Sequence, residues 1–147
     1  MARNFFVISL TVACLLSSLT YLSGGDAKAG GAASSKVVQT ILFPGGSCKL
    51  DRLNTRPMFS PAEMKESEKA FMVELKCALT GKSSDDALRV LYDKGEFVAP
   101  DGKRYRAGAA IFKSDETIYR LVVAIPQNVD VEKLRFIYDG QVLPLGK

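Results

Sequence analysis

The chain predicts a mostly β protein, an antiparallel sheet structure with one buried face and one or two short helices. Three observations predict it. In Ile118-Tyr119-Arg120-Leu121-Val122-Val123-Ala124-Ile125, one alternating set is Tyr119, Leu121, Val123 and Ile125. That is the period of two expected where successive side chains point to opposite faces of a sheet. Lys133-Leu134-Arg135-Phe136-Ile137-Tyr138 repeats it, with Leu134, Phe136 and Tyr138 inward and Lys133 and Arg135 outward. Residues 70–80 alternate most cleanly, with Phe71, Val73, Leu75, Cys77 and Leu79 on one face.

The first 29 residues are set apart from the fold. Arg3 gives a minimal positive start, residues 5–22 are mostly apolar, and Ala27-Lys28-Ala29 is an A-x-A cleavage pattern before Gly30. The expectation is export with cleavage after Ala29. Two alternatives stand beside it. The apolar run is just long enough to stay in a bilayer as an anchor over residues 5–22. Cys14 after Thr11-Val12-Ala13 faintly matches a lipid-attachment site, although the first residue is wrong and the apolar run continues past it.

The chain has 147 residues and a formal net charge of +4. Losing Arg3, Lys28 and Asp26 with the leader leaves 18 basic and 15 acidic residues, a net charge of +3. These charges are interspersed rather than gathered into a stripe, so nucleic acid is not an expected partner. Cys48 and Cys77 are the cysteines beyond the leader. In an oxidising compartment they are expected to form a disulfide. Closing a loop of this length is worth about 3.5 kcal/mol in the chain-entropy model.

Taken in order, residues 30–35 are a small-residue lead. Residues 36–43 are β-branched and read as a first strand ended by Pro44-Gly45-Gly46. Residues 47–58 show no clear period and are expected to be irregular, or at most a short strand. Ser60-Pro61-Ala62-Glu63 carries a helix-start signal, since serine can cap, proline suits the first position and glutamate can reach back. About two solvated helical turns are expected there. The alternating strand over residues 70–80 follows, with Cys77 on its core side.

Ser83-Ser84-Asp85-Asp86 offers a cap and an acidic first turn, and Gly95 a stop, so residues 85–94 read as a helix. A strand with Leu88, Val90 and Tyr92 inward is the competing reading. Residues 96–99 and 103–106 flank Pro100-Asp101-Gly102, a hairpin whose proline pre-sets one dihedral and whose glycine accepts a positive one. A short strand over residues 107–112 and a polar turn lead to the strands of residues 118–145. Asp139-Gly140 is a tight turn, and Pro144 places the last strand at an edge or ends it there.

The absence of histidine excludes histidine-based triads and metal sets. Two cysteines alone make no ordinary zinc site, and no phosphate-binding glycine loop occurs. No metal and no cofactor are expected. The candidate binding residues are Lys103, Arg104, Tyr105 and Arg106, where cations beside an aromatic ring suit an acidic glycan, a lipid headgroup or a carboxylate-rich partner. The plainer alternative is a solvated hairpin with Tyr105 turned inward.

From Glu96 onward the chain resembles small secreted bacterial immunoglobulin-like domains. The resemblance rests on Pro100-Asp101-Gly102-Lys103-Arg104-Tyr105, then Leu121-Val122-Val123-Ala124-Ile125-Pro126, then Lys133-Leu134-Arg135-Phe136. It implies an immunoglobulin-like antiparallel β-sandwich, without the core tryptophan of antibody-type domains and with added helical segments. It implies no active site, because such modules mostly bind or support other proteins. The expected function is therefore an exported, non-catalytic binding or accessory module of the bacterial envelope, periplasmic or secreted. Its partner would be another envelope protein or an acidic ligand, with membrane contact only if the N-terminal segment is kept. The alternatives are a structural subunit of an envelope or secretion assembly, and a carboxylate-based hydrolase.

Overall fold

The computed structural model describes residues 34–81, 84–113, 115 and 117–147. The expected leader, its cleavage point and most of the small-residue lead lie outside these. In chain order the strands are β1 (Lys36–Val37), β2 (Thr40–Phe43), β3 (Gly46–Asn54) and β4 (Glu68–Leu79). Helix α1 (Ser84–Lys94) follows, then β5 (Glu96–Val98), β6 (Arg104–Tyr105), β7 (Ala107–Lys113) and β8 (Ile118–Pro126). A 3-10 turn at Val131–Lys133 precedes β9 (Arg135–Tyr138) and β10 (Gln141–Pro144).

The two longest alternating runs pair with each other. β4 lies antiparallel to β8, and they form the centre of a long-strand sheet of order β2-β3-β4-β8-β7. The remaining strands form a short-strand sheet of order β1-β10-β9-β5-β6, antiparallel except where β1 lies parallel to β10. Apolar faces can leave water only against each other, so the sheets stack. Phe71 of β4 meets Phe97 of β5 edge-on at 5.5 Å, and Phe97 meets Phe136 of β9 at 5.0 Å. All three rings are fully buried. Aromatic pairs of this kind add about 0.5–1.5 kcal/mol each to the burial itself. The architecture is a β-sandwich with one helix.

The helix reading of residues 85–94 holds, and the strand alternative does not. α1 carries Asp85 and Asp86 in its first turn and Lys94 in its last, as the helix dipole favours. Its Leu88 and Leu91 enter the core. The β4 and β8 inward faces are also as expected, with Phe71, Val73, Leu75, Tyr119, Leu121, Val123 and Ile125 buried. The β5–β6 hairpin closes through Gly102, whose φ of +85° suits a residue without a Cβ. At the Asp139-Gly140 turn both residues take positive φ, as a two-residue hairpin of type I′ requires.

Four expectations are corrected. Residues 36–43 are not one strand: β1 joins the short-strand sheet and β2 the long-strand sheet, so the chain changes sheets at Val38-Gln39. Residues 47–58 are not irregular, because β3 is nine residues long. A register break between Leu50 and Arg52 interrupts its alternation, which hides the period from the sequence. Residues 60–69 form turns and not a helix. Met64 N–H bonds to the Pro61 carbonyl and Glu68 N–H to the Lys65 carbonyl, and β4 has begun by Glu68. With the strand claiming Glu68, the remaining segment is too short to stand as an isolated helix. Finally, β10 is interior to its sheet rather than at an edge, and it ends at Pro144, the other reading of that proline. Pro144 is tolerated because two-residue β1 reaches only Gln141 and Val142.

Candidate functional site

Residues Lys103, Arg104, Tyr105 and Arg106 do not act as a group. Tyr105 lies opposite Phe97 in the register, and Phe97 lies opposite Phe136, so this row faces the core. The Tyr105 hydroxyl is enclosed with no hydrogen-bond partner among the described residues. Its ring is on the far side of the strand from the two arginines flanking it. The expected pairing of cation with aromatic ring is replaced by an outer surface on which the arginines meet a carboxylate.

On that surface Glu96 organises the arginines. Arg104 Nη1 donates to Glu96 Oε2 at 2.5 Å, and Arg106 Nη2 donates to Glu96 Oε1 at 3.4 Å. One carboxylate thus holds two guanidinium groups, and both stay mostly exposed. Lys103 turns to the hairpin instead. Its backbone N–H donates to Asp101 Oδ1 at 3.1 Å and its ammonium lies 3.3 Å from Oδ2. The Lys103 backbone hydrogen bond, reinforced by its ammonium, holds the Asp101 carboxyl below its ordinary pKa against a small desolvation cost.

Arg135 is the residue the sequence reading placed on an outer face but left out of the site. Arg135 lies opposite Val98, and Val98 lies opposite Arg104, so both arginines rise from one row of the short-strand sheet. Two strand spacings of about 4.8 Å separate them. Arg135 has no ion pair among the described residues. Nothing in sequence spacing joins Arg135 to Arg104; the β9–β5–β6 pairing does.

Cys48 and Cys77 are joined, as expected. They stand directly opposite in the β3–β4 register, with Cα atoms 4.1 Å apart and a separation of 29 along the chain. The Cys77 N–H bonds to the Thr117 carbonyl on the other side, so the cysteines occupy a non-hydrogen-bonded pair, where facing side chains are closest. The link lies within the sheet and is buried on both sides.

A cleft of about 900 Å³ opens beside β1 and β2, lined by Lys36, Leu42, Lys94, Tyr138, Asp139 and Gln141 among others. Asp139 is the carboxylate among its lining residues. The Gln141 side chain accepts from Leu42 N–H and donates to the Leu42 carbonyl, both at 2.8 Å. It thereby fills the open edge of β2 at that residue, as a neighbouring strand would. A smaller cleft of about 330 Å³ between α1 and β7–β8 is lined by Tyr92, Phe112 and Tyr119 with Asp85 and Arg89. Burial, with Asp93 nearby, pushes the Tyr119 phenol up to about 12.

No family model matches this chain, no curated protein matches it, and no solved structure matches it.

Proposed function

We propose that the chain is an exported, non-catalytic binding module of the envelope, an immunoglobulin-like sandwich that takes an anionic partner on the outer face of its short-strand sheet. The arginine arrangement carries this reading. Arg104 and Arg106 already hold one carboxylate between them, which is the geometry by which guanidinium groups recognise such ligands. Arg135, two strands away in the same row as Arg104, supplies a further cation for a partner with several carboxylates.

Immobilised polyglutamate tests it. The chain is expected to be retained in a salt-sensitive way, and Arg104→Gln/Arg106→Gln/Arg135→Gln to lose about tenfold or more in affinity. Unchanged retention by the triple variant removes the reading. A structural subunit is the second reading, favoured by β7, a seven-residue strand at the edge of its sheet. Concentration-dependent assembly in size-exclusion chromatography, lost on placing proline at Ala110, supports that reading.

A further inference from the structure

The opposite surface of the sandwich has a different character. Directly paired residues of an antiparallel sheet point the same way, so the register defines rows across the outer face of the long-strand sheet. One row runs Lys49, Lys76, Ile118, Lys113. The next runs Arg52, Glu74, Arg120, Ile111. Lys49, Lys76 and Arg52 are exposed on these rows, and the carboxylate of Glu74 lies 3.6 Å from Arg120. Lys49 and Lys76 face each other directly, and neither has an ion pair among the described residues. Like charges opposed in this way destabilise a sheet, and nothing in the fold gains from them.

The same side also exposes apolar side chains. Ile41 and Phe43 turn into the core, so Leu42 between them stands on the outer face and is 63% exposed. At the other end, Met72 and Val122 point away from the core yet are 7% and 1% exposed. The segment joining β3 to β4 covers them. Its Pro61 is buried, and a Cβ on Gly108 of β7 would lie 2.8 Å from the Pro61 Cβ. The same segment exposes two large apolar side chains, Met58 at 95% and Phe59 at 61%. Three of the four large exposed apolar residues described thus lie on this sheet or on the segment that comes against it.

A soluble acidic polymer would engage the cations and leave Met58, Phe59 and Leu42 unexplained. A lipid surface engages both, phosphates at the basic side chains and acyl chains at the apolar ones. We infer that the outer face of the long-strand sheet docks on an anionic membrane surface, with Lys49, Lys76 and Arg52 at the headgroups and Met58 and Phe59 immersed. This contact is separate from any anchoring by residues 5–22, and from the arginine site on the other face.

Vesicle co-sedimentation of the full chain tests it, comparing phosphatidylcholine alone with phosphatidylcholine plus phosphatidylglycerol. The ratio between the two cancels whatever the N-terminal apolar run contributes to both. Binding is expected to favour the anionic vesicles and to weaken with salt. Lys49→Glu/Lys76→Glu should lower that preference by about tenfold or more, while Lys49→Arg/Lys76→Arg keeps it. Met58→Ser/Phe59→Ser should reduce anionic-vesicle binding several-fold. Arg89→Gln, at an exposed position of α1 outside both faces' basic groups, should leave it unchanged. Equal binding to both vesicles, a preference that survives Lys49→Glu/Lys76→Glu in a variant with its disulfide formed, or binding to heparin without binding to vesicles overturns the proposal.

Discussion

The two sheets bury similar apolar rows inward but treat their outer charges in opposite ways. On the short-strand sheet Glu96 sits between Arg104 and Arg106, and Asp101 beside Lys103, so three of its basic groups come with local counter-ions and Arg135 stands apart from them. On the long-strand sheet Lys49 and Lys76 stand opposed with no counter-ion among the described residues, and Glu74 serves only the Arg120 side of its row. Internal support differs as well. The short-strand sheet has strands of two to four residues and depends on Phe97, flanked by Phe136, packing against Phe71 of the other sheet. The long-strand sheet has longer ladders and a covalent link within it. Where the backbone is well secured, the surface tolerates unfavourable charge; where it is not, the charges are paired.

The sharpest way to break this comparison is Phe97→Ala. It removes the ring between the sheets and is expected to lower stability by about 3–5 kcal/mol in urea unfolding. A loss under about 1 kcal/mol would mean that the short-strand sheet does not depend on that stack. The Cys48→Ala/Cys77→Ala pair tests the other sheet. The expected loss is about 3.5 kcal/mol, matched by reducing the unaltered protein before unfolding. If reduction leaves the midpoint in place, the link adds nothing to an already sufficient ladder.

Two carboxylate substitutions compare the outer faces directly. Glu74 is 9% exposed, and its loss leaves the largely buried Arg120 without this partner, so Glu74→Gln should cost about 1–3 kcal/mol. Glu96 meets arginines that are mostly exposed, so Glu96→Gln should cost less than about 1 kcal/mol. It should also tighten retention on polyglutamate, because two guanidinium groups are released. Reversal of that order would contradict the burial difference between the faces.

The smallest expected effect is at high pH. Tyr119 has its pKa raised to about 12 from an ordinary 10, so the fold favours the neutral phenol. That stability is fully present below pH 10 and is lost as the pH rises through 12. Stability curves over this range should fall less steeply for Tyr119→Phe, and identical slopes would show that the phenol titrates alike folded and unfolded.

Much of this was legible along the chain. The β4 and β8 faces, the α1 signals, the Pro100-Asp101-Gly102 hairpin and the Asp139-Gly140 turn are local features, and local side-chain chemistry decides them. β3 was not legible, because the break near Asp51 interrupts its period. The expected helix at Ser60 failed because β4 begins at Glu68, paired to Pro126 of β8, a long-range pairing no spacing announces. Of the binding residues, Arg104 and Arg106 could be nominated from their turn. Tyr105 and Arg135 could not be assigned, since their roles depend on which strands lie beside them.

By itself the sequence determined which segments extend, which face of each strand is apolar and which two cysteines are left to pair. Those are properties of a few consecutive residues, through a period of two and the dihedral preferences of proline and glycine. Only the tertiary structure decided that residues 36–43 divide between two sheets, that Arg135 stands with Arg104, and that Lys49 faces Lys76. Each depends on hydrogen-bond register between strands distant in the chain. A shift of one residue in that register would turn every one of these side chains to the other face.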